Sequence, residues 1–183
     1  MKEVQPIKDR KKIKKMQDYL KSKSERNYLL FQLGIYSGFR ISDILNLKVK
    51  DLKGETHFRI KTKKTGKTMT LKIQKELKKD IDNYIKDKND DEYLFKSQKG
   101  SNKPISRVHA WEILNEAAKK VGIRNNIGTH TLRKSFGYFM FQHTGDIAFV
   151  QKFLGHTTPD ITLRYIGIEQ EDLDEAIDSF KIV

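Results

Sequence analysis

The chain has 183 residues, 37% of them hydrophobic, with ten phenylalanines; that is enough apolar mass for one domain of ordinary size and excludes a wholly disordered chain. It contains no cysteine, which excludes disulfides, thiolate metal sites and thiol nucleophiles, and no apolar run long enough for a bilayer span or a secretion signal. The formal charge is +13, and because residues 169–183 hold six acids against Lys181, the preceding chain stands at +18. A body that basic favours a polyanion such as nucleic acid, with solubility alone as the alternative.

Asp9 is a candidate N-cap for a first helix, in which Ile13, Met16, Tyr19 and Leu20 recur at helical spacing. Its lysine-rich face is either a solvated surface or a nucleic-acid contact. Ser24 caps a second helix running through Tyr36, with Leu29, Leu30, Leu33 and Tyr36 as its core stripe. Gly38 breaks that helix, and a short one follows over about 41–47. Between 57 and 73 the period changes: Phe58 and Ile60, then Met69, Leu71 and Ile73, alternate with polar residues as two half-buried strands do. Lys63-Lys64-Thr65-Gly66-Lys67 makes the turn between them. Helical patterns resume over about 75–87, 106–120, 130–143, 146–154 and 159–166. An acidic amphipathic segment closes the chain, with Leu173, Ala176, Ile177 and Phe180 on one face. With no internal repeat and no linker, the expected fold class is α+β, mainly helical, with one small antiparallel sheet.

Four places carry chemistry. Thr129 is a candidate N-cap that puts His130 and Arg133 on one face of a first helical turn, where free amide N–H groups and the helix dipole favour an anion. Arg133 can grip phosphate oxygens with two N–H groups and His130 can move a proton near neutral pH; an exposed pair on a basic helix is the alternative. Arg40 opens another helix, and a second arginine would balance the extra charge of a pentacovalent phosphorus. Asp43 can hold its side chain, or the two can be a simple surface ion pair. His156 follows Leu154-Gly155, where glycine lets the chain turn and the imidazole project. Thr158-Pro159 restarts a helix in good capping order, and Tyr165 arrives near its end, close in space to His156. His57, His109 and His143 have no partner pattern, and no metal-ligand spacing joins them.

Gly38-Phe39-Arg40, a lysine in the turn, His130-x-x-Arg133, Leu154-Gly155-His156 and Tyr165 together resemble the Arg-Lys-His-Arg-His-Tyr constellation of the tyrosine recombinase (phage integrase) family, over roughly residues 7–168. The resemblance implies that Tyr165 attacks DNA to form a 3′-phosphotyrosyl bond and expel a 5′-hydroxyl, and that a second DNA 5′-hydroxyl can reseal the bond without ATP. Arg40 and Arg133 would clamp the nonbridging oxygens, His130 would act as general base and His156 would hydrogen-bond the phosphate. A turn lysine would protonate the leaving oxygen; members with lysine directly before Thr-Gly favour Lys64, with Lys63 as runner-up and Lys61 and Lys67 as phosphate contacts or solvated charge. No metal or other cofactor is implied. The implied function is site-specific DNA recombination, as in integration of mobile elements. A type IB topoisomerase-like nicking and closing enzyme and a non-catalytic DNA-binding module are the alternatives.

The domain reading that follows is a catalytic domain over 1–168 and an acidic tail over 169–183, with no N-terminal core-binding domain in the chain. The tail either docks on a neighbouring protomer, as in similar enzymes, or folds back on its own domain. Expected partners are double-stranded DNA, further copies in a homo-tetramer on DNA (weakly associated or monomeric without it) and accessory DNA-bending proteins. No membrane is expected as a partner, and the expected location is cytoplasmic, with the nucleoid.

Overall fold

The computed structural model describes residues 4–61, 66, 68–125 and 127–181. Helix α1 (Arg10–Lys23) starts where expected, with the Asp9 carboxylate accepting from the N–H groups of Lys11 and Lys12, and it buries Met16 and Leu20. Ser24 closes α1 and caps α2 (Glu25–Ser37) by accepting from Asn27 N–H. Helix α2 is the centre of the molecule: seven consecutive residues, Leu29 to Ile35, are buried, and it packs against α1 as well as the later α4 (Lys75–Ile85) and α6 (Thr131–Thr144). The short α3 spans Ile41–Ile44, less than the sequence pattern suggests, because the chain then turns through a 3-10 segment at Val49–Asp51.

Strands β1 (His57–Lys61) and β2 (Thr68–Lys72) form an antiparallel pair. Phe58 faces Leu71 and Ile60 faces Met69, so the alternation read from the sequence is the register that turns one face of the hairpin to the core. The helices that follow are α5 (Arg107–Lys120), α6, α7 (Ile147–Leu154), α8 (Pro159–Ile166) and α9 (Gln170–Ser179). The fold is therefore the mainly helical domain with one small sheet that the pattern implies. Among the described residues no helix is long and apolar enough to cross a membrane.

The core has two parts. The larger gathers α1 to α5 and the hairpin; the smaller is built on Val150, Leu154 and Ile166, with Tyr165 packed against it. Phe153 lies at the joint, its ring 4.8 Å from that of Phe136 and 6.4 Å from that of Phe39. Phe39 in turn meets Phe58 edge-on at 5.6 Å. This aromatic bridge leads from the hairpin to the helices carrying His156 and Tyr165, and Arg40 follows it directly in the chain.

Candidate active site

The turn after α2 sets the first cation. Gly38 has φ 61 and ψ 11, the left-handed conformation that ends a helix cheaply only with glycine. A Cβ there would also lie 2.3 Å from the Phe136 ring, so any side chain would push α2 and α6 apart. The turn sends Phe39 into the core and leaves Arg40 as the half-buried residue that starts α3.

The second cation comes from α6, where the capping differs from expectation. Thr129 does not cap the helix; His130 occupies the N-cap position and makes no side-chain cap. The competing hydroxyl is that of Thr131, which accepts from Gly128 N–H at 3.0 Å and closes the preceding loop. His130 therefore stands just outside the helix, exposed, with Nδ1 3.3 Å from the Tyr165 hydroxyl. Arg133, one turn further in, is 4% exposed. Its guanidinium donates to the Gly38 carbonyl and, at 3.0 Å, to the Leu154 carbonyl. These carbonyls lie at the C-terminal ends of α2 and α7, the negative ends of both helix dipoles. Burying a guanidinium is costly, and two such acceptors offset that cost while fixing its plane. Burial nevertheless holds Arg133 below the ordinary arginine range, an effect that nearby Arg40 adds to and that Tyr165 and Asp43 oppose.

His156 is placed by the end of α7. Gly155, at φ 69, ends the helix as expected, and Gln151 grips the following residue from both sides: its carbonyl accepts from His156 N–H at 3.1 Å and its side-chain amide donates to the His156 carbonyl at 3.2 Å. The imidazole Nδ1 sits 3.2 Å from the Thr162 hydroxyl of α8. Thr158 and Pro159 start α8 as the sequence suggests, the threonine hydroxyl accepting from Ile161 N–H.

Tyr165 on α8 closes the cluster. Its ring meets that of His156 edge-on with centroids 4.9 Å apart, and its side chain is hydrogen-bonded to Arg133. Burial pushes the Tyr165 phenol above its ordinary range, opposed by the charges of Arg133 and Arg40. At rest Tyr165 is thus a neutral phenol beside fixed cations and an imidazole, an arrangement that can accept an anion and pass on a proton.

The structure brings together Arg40, His130, Arg133, His156 and Tyr165. Lys64 and its rivals Lys63 and Lys67 lie outside the described residues, while Lys61 is exposed at the end of β1. The three histidines set aside lie elsewhere: His57 meets Thr56, His109 pairs with Glu112 at 3.2 Å, and His143 is exposed at the end of α6. No cluster of metal-ligating residues exists among the described residues. Three side chains around the site escaped the sequence reading: Thr162, Gln151 and the 3%-exposed Lys134, whose ammonium lies over the Tyr165 ring. Thr162 is three residues before Tyr165 on a predicted helix, so its proximity could have been inferred.

Two arginines, two imidazoles and a tyrosine in this arrangement, on this fold, define a catalytic domain of the tyrosine recombinase class. The Phage integrase family model matches residues 8–171, and the chain belongs to that family of DNA breaking and rejoining enzymes. It is 49% identical over 168 residues to the probable integrase/recombinase YoeC of Bacillus subtilis (strain 168), covering 92% of each chain. It is 32% identical over 169 residues to tyrosine recombinase XerA of Pyrococcus furiosus, covering 91% of this chain and 58% of the relative. The crystal structure of XerA recombinase matches with a TM-score of 0.77 at 23% identity, over 97% of this chain and 65% of that one. XerH bound to its difH substrate, before cleavage, matches with a TM-score of 0.73 at 23% identity, over 98% of this chain and 56% of that one. The chain thus spans nearly all of the Bacillus relative and little more than half of the archaeal one.

Proposed function

We propose that the protein is a site-specific DNA recombinase in which Tyr165 is the nucleophile. The observation that carries this reading is the Tyr165 hydroxyl, hydrogen-bonded to Arg133 and 3.3 Å from His130 Nδ1. The phenol oxygen attacks phosphorus and its proton passes to His130. Arg40 and Arg133 bind the nonbridging oxygens as charge builds on them, and His156 adds a hydrogen bond through Nε2. The bond to the 5′-oxygen breaks, and that oxygen takes its proton from a turn lysine, for which the resemblance favours Lys64. Attack by a second 5′-hydroxyl on the phosphotyrosine reverses each transfer and restores the phosphodiester.

Double-stranded DNA is the proposed partner, consistent with the +18 body, and the acidic helix α9 is proposed to dock on a second copy in a DNA-bound tetramer. The exposure of Ile177 (72%) and Phe180 (67%) supports that docking, since an apolar face left in water favours a partner.

The test is incubation of the full chain with a library of nicked duplexes in EDTA, followed by denaturing analysis of protein–DNA adducts. An adduct joining Tyr165 to a DNA 3′ end is expected, absent in Tyr165→Phe and formed about 10²–10³-fold more slowly in Arg133→Ala. An adduct that survives Tyr165→Phe would sink the assignment. Relaxation of supercoiled plasmid with no strand exchange would instead select the topoisomerase-like alternative.

A further inference from the structure

Lys134 is a buried cation that the proposed chemistry does not yet use. Only 3% of it is exposed, in the first half of α6, where residues 131–137 are all buried and an apolar residue would cost far less. Its ammonium lies over the ring of Tyr165, 5.0 Å from the centroid, on a different side of the nucleophile from the groups at the hydroxyl. We propose that Lys134 is a positioning residue for the nucleophile: its ammonium holds the Tyr165 ring with the hydroxyl turned to Arg133 and His130, and holds it more strongly as the ring becomes a phenolate.

The physical argument rests on how a cation sees an aromatic face. The ring of a neutral phenol attracts an ammonium through its quadrupole, an attraction that grows when water is excluded. Deprotonation sends negative charge into that ring, so the same ammonium favours phenolate over phenol. Burial of Tyr165 works the other way, and the arginines counter it at the oxygen end. Lys134 supplies the cation at the ring face, where neither arginine side chain is hydrogen-bonded. Among the described residues, the titratable or charged groups near Tyr165 include His130 and Arg133 of α6, Arg40 and Asp43 of the α3 turn, and His156 before α8. Lys8, from the segment preceding α1, lies over Tyr138 instead.

The proposal rests on Tyr165 being the nucleophile, and its test has one arm that needs no DNA. Protein labelled with 13C at the tyrosine ring Cζ reports the titration of each tyrosine, with the Tyr165 signal assigned from Tyr165→Phe. In Lys134→Met and Lys134→Gln the Tyr165 midpoint should move to higher pH, while Lys134→Arg should stay near wild type. In the second arm, single-turnover adduct formation at saturating nicked DNA should slow about tenfold near neutral pH in Lys134→Met, converge on wild type as the pH becomes alkaline, and be largely rescued in Lys134→Arg. A midpoint unmoved in a folded Lys134→Gln protein would overturn the proposal. So would an equal loss in the methionine and arginine variants at every pH, since that pattern belongs to packing. Absence of any adduct in the wild type, with the midpoint shift intact, would overturn the nucleophile assignment and with it the positioning role, leaving only the effect of Lys134 on the Tyr165 ring.

Discussion

The Thr162 hydroxyl has a single proton, and it goes to the Thr158 carbonyl at 3.1 Å. Its lone pair must therefore accept from His156 Nδ1, 3.2 Å away, which fixes that proton on Nδ1. With Nδ1 committed in this way, Nε2 is the nitrogen left to face a phosphate, so Thr162 sets the ring's direction in the role proposed for it. Thr162→Val removes the acceptor without changing volume much. Losing one hydrogen bond of about 1 kcal/mol that orients a group at the transition state corresponds to a slowing of about five- to tenfold in adduct formation. Thr162→Ser should retain the wild-type rate, and a wild-type rate in Thr162→Val would show that the imidazole needs no anchor. This residue marks the limit of what the sequence carries. Arg40, His130, Arg133, His156 and Tyr165 are legible because each has a distinctive side chain at a distinctive spacing. Thr162 and Lys134 are an ordinary threonine and one lysine among many, and only the direction of their side chains gives them a place in the site.

At the scale of elements, hydrophobic period and capping residues located the helices and the hairpin, because those signals are local. The cap of α6 was misplaced because Thr-His-Thr offers two hydroxyls, and the one that turned back to Gly128 N–H was decided by the loop before it. What no period could show is how closely the elements approach. At Gly137 a Cβ would lie 2.7 Å from Ile166 Cγ2 and 3.3 Å from Leu154 Cδ1, so α6 and α8, the helix of Tyr165, touch across a bare backbone. Gly137→Ala must then move α8 or distort Ile166. Overpacking of this kind costs about 1–3 kcal/mol, and here any shift of α8 is also a shift of Tyr165 against Arg133. The expected outcome is a lowered melting temperature together with slowed adduct formation. Ile166→Leu deletes the offending β-branch methyl, so the double variant should lose less than the two single losses added. Strict additivity would show that the clash is relieved elsewhere and that the α6–α8 spacing does not govern the site.

The whole molecule separates its charge: a body at +18 and a tail of residues 169–183 at net −5. That partition is plain in the sequence, whereas the surface covered by the tail is not, because an amphipathic helix announces that it has a partner without specifying which. Helix α9 is tied to its own domain through Lys8 and Asp172 at 3.2 Å, with side chains 37% and 31% exposed. A pair that open to solvent contributes at most about 1 kcal/mol and weakens further with salt. Such a tether orients the start of the helix and lets it leave, as the proposed docking on a second copy would require. Removing residues 170–183 separates docking from DNA affinity by sign. The deletion strips negative charge from the body proposed to bind DNA, so binding of a single protomer to one half-site should be unchanged or tighter. Assembly of further copies on paired sites, followed by native mass measurement or gel mobility, should fall if α9 bridges protomers. Any loss of assembly would then have to come from the missing protein–protein contact, since the effect on DNA binding runs in the opposite direction. Undiminished assembly by the truncated chain would place α9 on its own domain and leave the apolar side chains of Ile177 and Phe180 without a role in exchange.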